Sequence, residues 1–339
     1  MMAPGQHMAD EIAEIPGVID RQLRDDVDAY LALGREWSAR PPLFFATCAR
    51  GTSDQAALFF KYLTEIGTGI PVASLGPSLG TIFDGRLRMQ GAALLAISQS
   101  GASPDLVALT RKAAAGGAST VALLNTLPSP LSTVADQALP LSAGPERAVA
   151  ATKSFVASLF AIAAIHAGQT GDRLLREELS TLPARIAALQ RQALPDLRSL
   201  ASARRLFCLG RSIGLALAGE AALKFKETCL LAAEATSSAE FRHGPLALAD
   251  SDTAALIFLL DDATRPGTEA LVATLRQRGS TVLTLGSGNA DIKVVGVMHP
   301  VTQALAAITI FYALVRQLSL DLGLNPDAPP HLVKATLTE

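Results

Sequence analysis

At 339 residues the chain is long enough for two domains or one large one. Hydrophobic residues make up 49% and charged residues 18%, which excludes a disordered chain. Lys+Arg number 29 against Asp+Glu 31, so a net charge of −2 leaves no electrostatic footprint for nucleic acid or an anionic membrane. The first residues, MMAPGQHMADEIAEIPG, carry acids where a secretory leader needs a basic start and an apolar core. Residues 1–42 read as an N-terminal helical segment. Leu43-Phe44-Phe45-Ala46-Thr47 then reads as a strand, followed by a helix from Ser53 to Glu65. Ala92 to Ile97 is a second strand, Pro104 to Ala115 a second helix, and Ser119 to Asn125 a third strand. Short apolar strands alternating with amphipathic helices predict an α/β fold, a parallel sheet covered by helices on both faces. Phe155 to Gly168 is the most apolar segment, about 14 residues and too short to span a bilayer.

Asp172 to Leu200 is a charged helical connector, after which the pattern repeats. Leu206-Phe207-Cys208-Leu209 opens the second round, with a helix from Gly214 to Cys229. A strand comes next from Ala254 to Leu260, then a helix from Thr268 to Arg276 and a third strand at Ser280-Thr281-Val282. Corresponding strands begin 163, 162 and 161 residues apart (206 after 43, 254 after 92, 280 after 119), and Ser-Thr-Val recurs at the third. An internal duplication accounts for this. It sets a first domain at 43–170, a connector at 171–200, a second domain at 201–322 and an irregular tail at 323–339. The tail starts where Gly323 and the prolines of Asp327-Ala328-Pro329-Pro330 break the last helix.

In an open parallel sheet, ligands sit beyond the carboxyl ends of the strands. The first strand ends in Cys48-Ala49-Arg50-Gly51-Thr52-Ser53, and the second in Ser98-Gln99-Ser100-Gly101-Ala102-Ser103 just before Pro104. Hydroxyls and open backbone N–H groups at helix starts can bind a phosphate without a lysine. The plainer alternative is that these serines cap their helices. The matching end in the second round, Leu260-Asp261-Asp262-Ala263-Thr264, is acidic and should repel a phosphate, so it is expected to stay empty. Gly210-Arg211-Ser212-Ile213-Gly214 does not fit a dinucleotide fingerprint, and no Walker lysine follows a glycine loop.

Further along, Glu220, Lys224 and Glu227 fall on one helix face, for which a solvated salt-bridge face is the plain reading. His243, before Gly244-Pro245, is placed on a rigid loop outside any helix, where it could serve as an acid/base group. The cysteines Cys48, Cys208 and Cys229 are too few and scattered for a disulfide framework or a Cys-x-x-Cys zinc site, and no cluster has ligand spacing.

Together these blocks resemble the double sugar-isomerase (SIS) family. The likeness is to the isomerase portion of glucosamine-6-phosphate synthase and to free-standing amino-sugar-phosphate deaminase/isomerases. It runs from Glu11-Ile12-Ala13-Glu14-Ile15-Pro16 to the end of the chain. Its specific pieces are Ser98-Gln99-Ser100-Gly101, Lys224-Phe225-Lys226-Glu227, His243-Gly244-Pro245-Leu246 and the tail bearing Lys334. The resemblance implies two tandem SIS domains. It also implies that Thr52, Ser53, Ser98, Gln99, Ser100 and Ser103 contact the sugar phosphate, and that Val149 and Ala151 line the sugar.

By the same resemblance Glu227 is the base that moves a proton between C1 and C2, with Lys224 its charged neighbour. His243 opens the ring and reaches the neighbouring subunit of a homodimer, and Lys334 forms or supports an imine with the open-chain sugar. No metal and no organic cofactor is expected. Arg50 and Ala151 depart from the family pattern. With 42 residues before the first strand and Met2 near the start, no glutaminase domain is expected to supply ammonia. The expectation is therefore a cytoplasmic deaminase that converts glucosamine 6-phosphate and water to fructose 6-phosphate and ammonia. The alternatives are action on a galactosamine or fructosamine phosphate, an ammonia-dependent subunit of a synthase, and a non-catalytic sugar-phosphate sensor.

Overall fold

The computed structural model describes residues 3–83 and 85–334. Two compact units divide the chain. One comprises residues 17–146 and 153–176. The other comprises the N-terminal residues through Pro16, Arg147–Thr152 and Glu177–Lys334. One of the crossings between them, after Arg176, falls within the helix Arg173–Leu189.

The first unit is built on five parallel strands, β1 (Phe45–Cys48), β2 (Val72–Ser74), β3 (Ala93–Ser98), β4 (Ser119–Leu124) and β5 (Gln137–Pro140), in the order β2-β1-β3-β4-β5. The central strand β3, Ala-Leu-Leu-Ala-Ile-Ser, is buried at every position, as a strand covered on both faces must be. The sequence pattern shows β1, β3 and β4. It misses β2 and β5, which have three and four residues, lie at the sheet edges and are too short to display periodicity.

Helix α1 (Val27–Ala39) packs in this unit against α4 (Lys153–Thr170), whereas α2 (Thr52–Thr68) and α3 (Pro104–Ala115) follow β1 and β3. In α4 every residue except Gly168 and Thr170 is buried, so its apolar run is a core helix. Its contact with α1 depends on two glycines. A Cβ on Gly34 would lie 2.0 Å from the Ile165 carbonyl oxygen, and one on Gly168 would lie 2.4 Å from that of Leu31. Trp37, Phe45 and Phe60 pack edge-to-face nearby, with ring centroids 4.8–6.1 Å apart.

The second unit repeats the plan with β6 (Arg205–Gly210), β7 (Ala233–Ser237), β8 (Thr253–Leu259), β9 (Thr281–Gly286) and β10 (Ile292–Lys293) in the order β10-β9-β8-β6-β7. Read from the other edge this is the same order as the first sheet, and all its pairings are parallel. Helix α5 (Ile213–Cys229) follows β6, α6 (Arg265–Gln277) follows β8, and α7 (Pro300–Asp321) packs on α5. By length and composition α7 could cross a membrane, but 83% of its most apolar window is buried inside the protein.

The charged connector has a defined job at the start of α7. Glu178 accepts hydrogen bonds from the N–H of Met298 (2.9 Å) and His299 (3.0 Å) and from the Thr302 hydroxyl (2.5 Å). Burial opposes its ionisation, yet these bonds hold its carboxyl below the usual range.

The duplication extends to backbone detail. Gly51 precedes α2 with φ 54° and ψ −130°, and Ser212 precedes α5 with φ 55° and ψ −134°. Only glycine adopts that geometry without strain, so the second repeat keeps the turn at a cost of about 1–3 kcal/mol.

Replacing Gly34 with Ala should separate α1 from α4, because the obstructing atoms are backbone. A stability loss of about 1–3 kcal/mol is expected by denaturant unfolding. The same change at Gly17, where an added Cβ meets nothing within 4 Å, should be nearly neutral.

Candidate active site

In each sheet the strand order reverses direction between the first and third strands of its repeat, β1 and β3 in one, β6 and β8 in the other. Beyond such a switch point the loops part and leave a crevice. Thr52 and Ser53 open α2 there, and Ser98 to Ser103 form the β3–α3 loop. The Ser98 hydroxyl accepts from the Gly101 N–H (3.0 Å) and that of Ser100 from the Ala102 N–H (3.3 Å), so the loop curls on itself. Gly101 has φ 62°, and a Cβ on it would lie 2.2 Å from the Ser129 hydroxyl oxygen. Ser103 sits at the N-cap of α3 but makes no side-chain cap bond. Capping therefore does not account for its hydroxyl. The Gln99 carbonyl accepts from the Thr126 N–H (3.1 Å), tying the loop to the end of β4.

The corresponding loop of the second unit is closed by its own bonds. Asp262 accepts from the Thr264 N–H (2.8 Å) and hydroxyl (2.5 Å), and the Asp261 N–H donates to Gln303 (2.9 Å).

Helix α5 carries the main surprise. Glu220 and Lys224 are fully buried, so their face is no solvated salt-bridge face. The Lys224 ammonium lies 2.5 Å from Glu227 Oε2 and 3.4 Å from Glu220 Oε1. Tyr312 of α7 donates its hydroxyl to Glu220 Oε1 at 2.8 Å. Burial disfavours the ammonium, but the two carboxylates outweigh it and push the Lys224 pKa up. Lys224 is therefore a fixed cation. Glu227, with 21% of its side chain exposed, is the one member of the chain of charges that a ligand can reach.

Lys334 is positioned by the tail. Asp327 accepts from the N–H of His7 (3.0 Å) and Met8 (2.8 Å), and its carbonyl accepts from the Val149 N–H (3.2 Å). Glu11 accepts from the N–H groups of Arg147 and Ala148. The Lys334 ammonium donates to the Ala148 carbonyl at 2.6 Å. The segment holding Val149 and Ala151 is thus laced to the tail, and Lys334 lies at that segment. The family likeness runs on through Ala335–Glu339, which lie outside the described residues.

His243 ends a 3₁₀ turn, Glu240–His243, instead of standing on a loop free of helical turns, because Gly244 and Pro245 stop the turn immediately after it. Its side chain is exposed on the second unit and makes no hydrogen bond among the described residues. The predicted residues therefore form four sets: the hydroxyl loops, the Glu227–Lys224 pair, the Lys334 segment and His243. Tyr312 and Glu11 escaped sequence reading, since nothing in a helical period tells a buried partner from any other polar residue.

Among the described residues no group of three or more His, Cys, Asp and Glu side chains is placed to hold a metal ion. The thiols are buried, and burial pushes Cys48 up to about 12 and Cys229 up to about 11, which leaves neither poised as a nucleophile.

The profile of the SIS domain matches residues 45–167 and again 199–312. The chain belongs to the SIS family. This SIS protein is 34% identical over 313 residues to the glutamine–fructose-6-phosphate aminotransferase (isomerizing) of Halobacterium salinarum, covering 86% of this chain and 51% of that one. It is thus homologous to the isomerase domain of that enzyme and spans about half the length of such relatives. A crystal structure of a candidate phosphosugar isomerase from Silicibacter pomeroyi superposes with a TM-score of 0.88 at 40% identity, covering 95% of this chain and 99% of that one. The fold is also shared with a glucosamine-6-phosphate deaminase from Thermotoga maritima, at TM-score 0.77 and 21% identity over 98% of this chain and 100% of that one.

Replacing Lys224 with Met should leave the buried Glu220 and the partly exposed Glu227 without their shared cation. A loss of about 3–5 kcal/mol in unfolding free energy is expected. Replacing Lys226, exposed on the same helix, should cost little.

Proposed function

We propose that this SIS protein is an amino-sugar-phosphate deaminase/isomerase, taking glucosamine 6-phosphate and water to fructose 6-phosphate and ammonia. The observation that carries the reading is Glu227, a reachable carboxylate held 2.5 Å from a buried lysine cation. Aldose–ketose isomerisation needs a fixed base beside a carbonyl.

In this reading Thr52, Ser53, Ser98, Gln99, Ser100 and Ser103 take the phosphate, and Val149 and Ala151 line the sugar. His243, supplied by the second copy of a homodimer, opens the ring to expose the C1 aldehyde. Glu227 removes the proton from C2 and returns it to C1, leaving an imine at C2. Water adds to that imine and ammonia departs, giving the ketose. Lys334 forms or supports an imine with the open-chain sugar, and Lys224 balances the charge on Glu227.

The competing reading is the reverse direction, ammonia-dependent synthesis, which the names of the half-matched curated relatives favour. Incubation with glucosamine, galactosamine and fructosamine phosphates, with ammonia measured, separates the substrates. Incubation of fructose 6-phosphate with ammonium salts tests the reverse reaction. No ammonia from any amino-sugar phosphate would refute the deaminase assignment.

Glu227→Gln is nearly isosteric but cannot act as a base. Turnover should fall by about 10²-fold or more with KM little changed. If the base and the ring-opening histidine come from different copies, Glu227→Gln and His243→Ala proteins, each inactive alone, should regain activity when mixed under conditions that exchange subunits. Failure to regain activity, despite demonstrated exchange, would place His243 in its own chain's chemistry or outside it.

A further inference from the structure

We propose that Arg50 is a phosphate ligand, its guanidinium anchored on the buried carboxylate of Asp105 and supplying the positive charge of a pocket whose other groups are hydroxyls and backbone N–H. The inference rests on the proposed placement of the phosphate and assigns it a residue that breaks the family's pattern.

Arg50 follows β1 and directly precedes Gly51, Thr52 and Ser53. Its Nε lies 2.8 Å, and one terminal nitrogen 2.6 Å, from Asp105 Oδ2. Asp105 is the second residue of α3, two beyond Ser103, and its side chain has no exposure. The pair therefore spans the two loops that part at the switch point of the first sheet. A guanidinium carries five N–H donors in a planar fork, and Asp105 uses only part of it. The Arg50 side chain is 45% exposed, and among the described residues its hydrogen bonds go to Asp105 alone, so donors remain for an anion.

The local charge requires such a group. Asp105 and Asp54, in the first turns of α3 and α2, both stand near the hydroxyl loops. Burial pushes the Asp54 carboxyl up against the pull of Arg50. Acids there would repel a phosphate dianion; Arg50 is paired with Asp105 and pulls electrostatically on Asp54.

The second repeat serves as an internal control. Arg211 follows β6 as Arg50 follows β1, but Pro266 matches Pro104 at the repeat spacing of 162, so the position matching Asp105 is Gly267, where an added Cβ would lie 3.7 Å from an Arg211 nitrogen. The Arg211 side chain is exposed and has no hydrogen bond among the described residues. The anchoring carboxylate is therefore present only in the repeat whose loops carry the hydroxyls.

The plain alternative is that Arg50 merely neutralises Asp105. Calorimetric titration of the full chain with inorganic phosphate, paired with thermal unfolding, separates the two. Arg50→Ala should weaken phosphate binding by about tenfold or more, as expected for loss of a charge-assisted bond, and should also lower the melting temperature by stranding Asp105. The double variant Arg50→Ala/Asp105→Ala should recover the melting temperature but not the affinity. Arg50→Lys, which keeps the charge without the fork, should bind phosphate with intermediate affinity. Wild-type affinity in the double variant, or no phosphate binding by the wild-type chain, overturns the proposal. Wild-type binding that depends on Arg50, with no ammonia from any amino-sugar phosphate, would leave Arg50 standing and remove only the proposed reaction.

Discussion

A lysine with no exposed surface has to be balanced, and Lys224 dictates much of what surrounds it. An ammonium taken out of water costs several kcal/mol unless carboxylates and hydrogen bonds replace its hydration. Glu220 and Glu227 supply the carboxylates from the same helix, one four residues before and one three residues after. Tyr312 then occupies an oxygen of Glu220, so α7 must lie where its hydroxyl can reach. The two lysine distances are unequal, with the ammonium drawn to the partly exposed Glu227. A buried charge network thus ends at one reachable carboxylate, which suits a base that must not move during proton transfer.

The duplication shows how one fold accommodates two kinds of strand end. Both sheets have the same strand order, and even the strained turn at Ser212 repeats the glycine turn at Gly51. The loops beyond the strands differ. In the first repeat Thr52, Ser53, Ser100 and Ser103 are partly exposed, while Ser98 is buried and Arg50 is fastened to Asp105. In the second, Asp262 turns inward to cap Thr264. Asp262 thus spends its acceptors on its own loop, and the Asp261 N–H on Gln303 of α7, unlike the hydroxyl loops of the first repeat.

The tail illustrates order imposed by backbone capture. Asn325 and Asp327 accept hydrogen bonds from the N–H groups of Gly5, His7 and Met8 at the start of the helix Gln6–Ala13, where unsatisfied donors and the positive end of the helix dipole favour acceptors. Arg316 donates to the Gly5 carbonyl from α7. Through the Val149 N–H these bonds also fix the segment to which Lys334 donates. A proline-rich stretch that reads as a break in the sequence is held at both sides in the structure.

The central strands and the long helices were legible in the sequence because burial on both faces demands continuous apolar runs, and the repeat announced itself through spacing. The edge strands β2, β5, β7 and β10 were not, since two to five residues at a sheet margin leave no period to detect. The hydroxyl loops and His243 could be named from position and residue type, whereas Glu227 as a base and Lys334 were named only through the family resemblance. Their surroundings could not be named in either way. Glu220, Lys224 and Glu227 read equally well as a solvated face, and only the packing of α7 showed that Glu220 and Lys224 are buried. In sequence Asp105 is one more first-turn acid, and its pairing with Arg50 exists only through packing. Sequence by itself determined the elements, their repetition and the residue types available for chemistry, because those depend on local periodicity and composition. Which side chains are desolvated and which charges meet was decided only by the tertiary structure, because desolvation and pairing depend on neighbours brought in from distant parts of the chain.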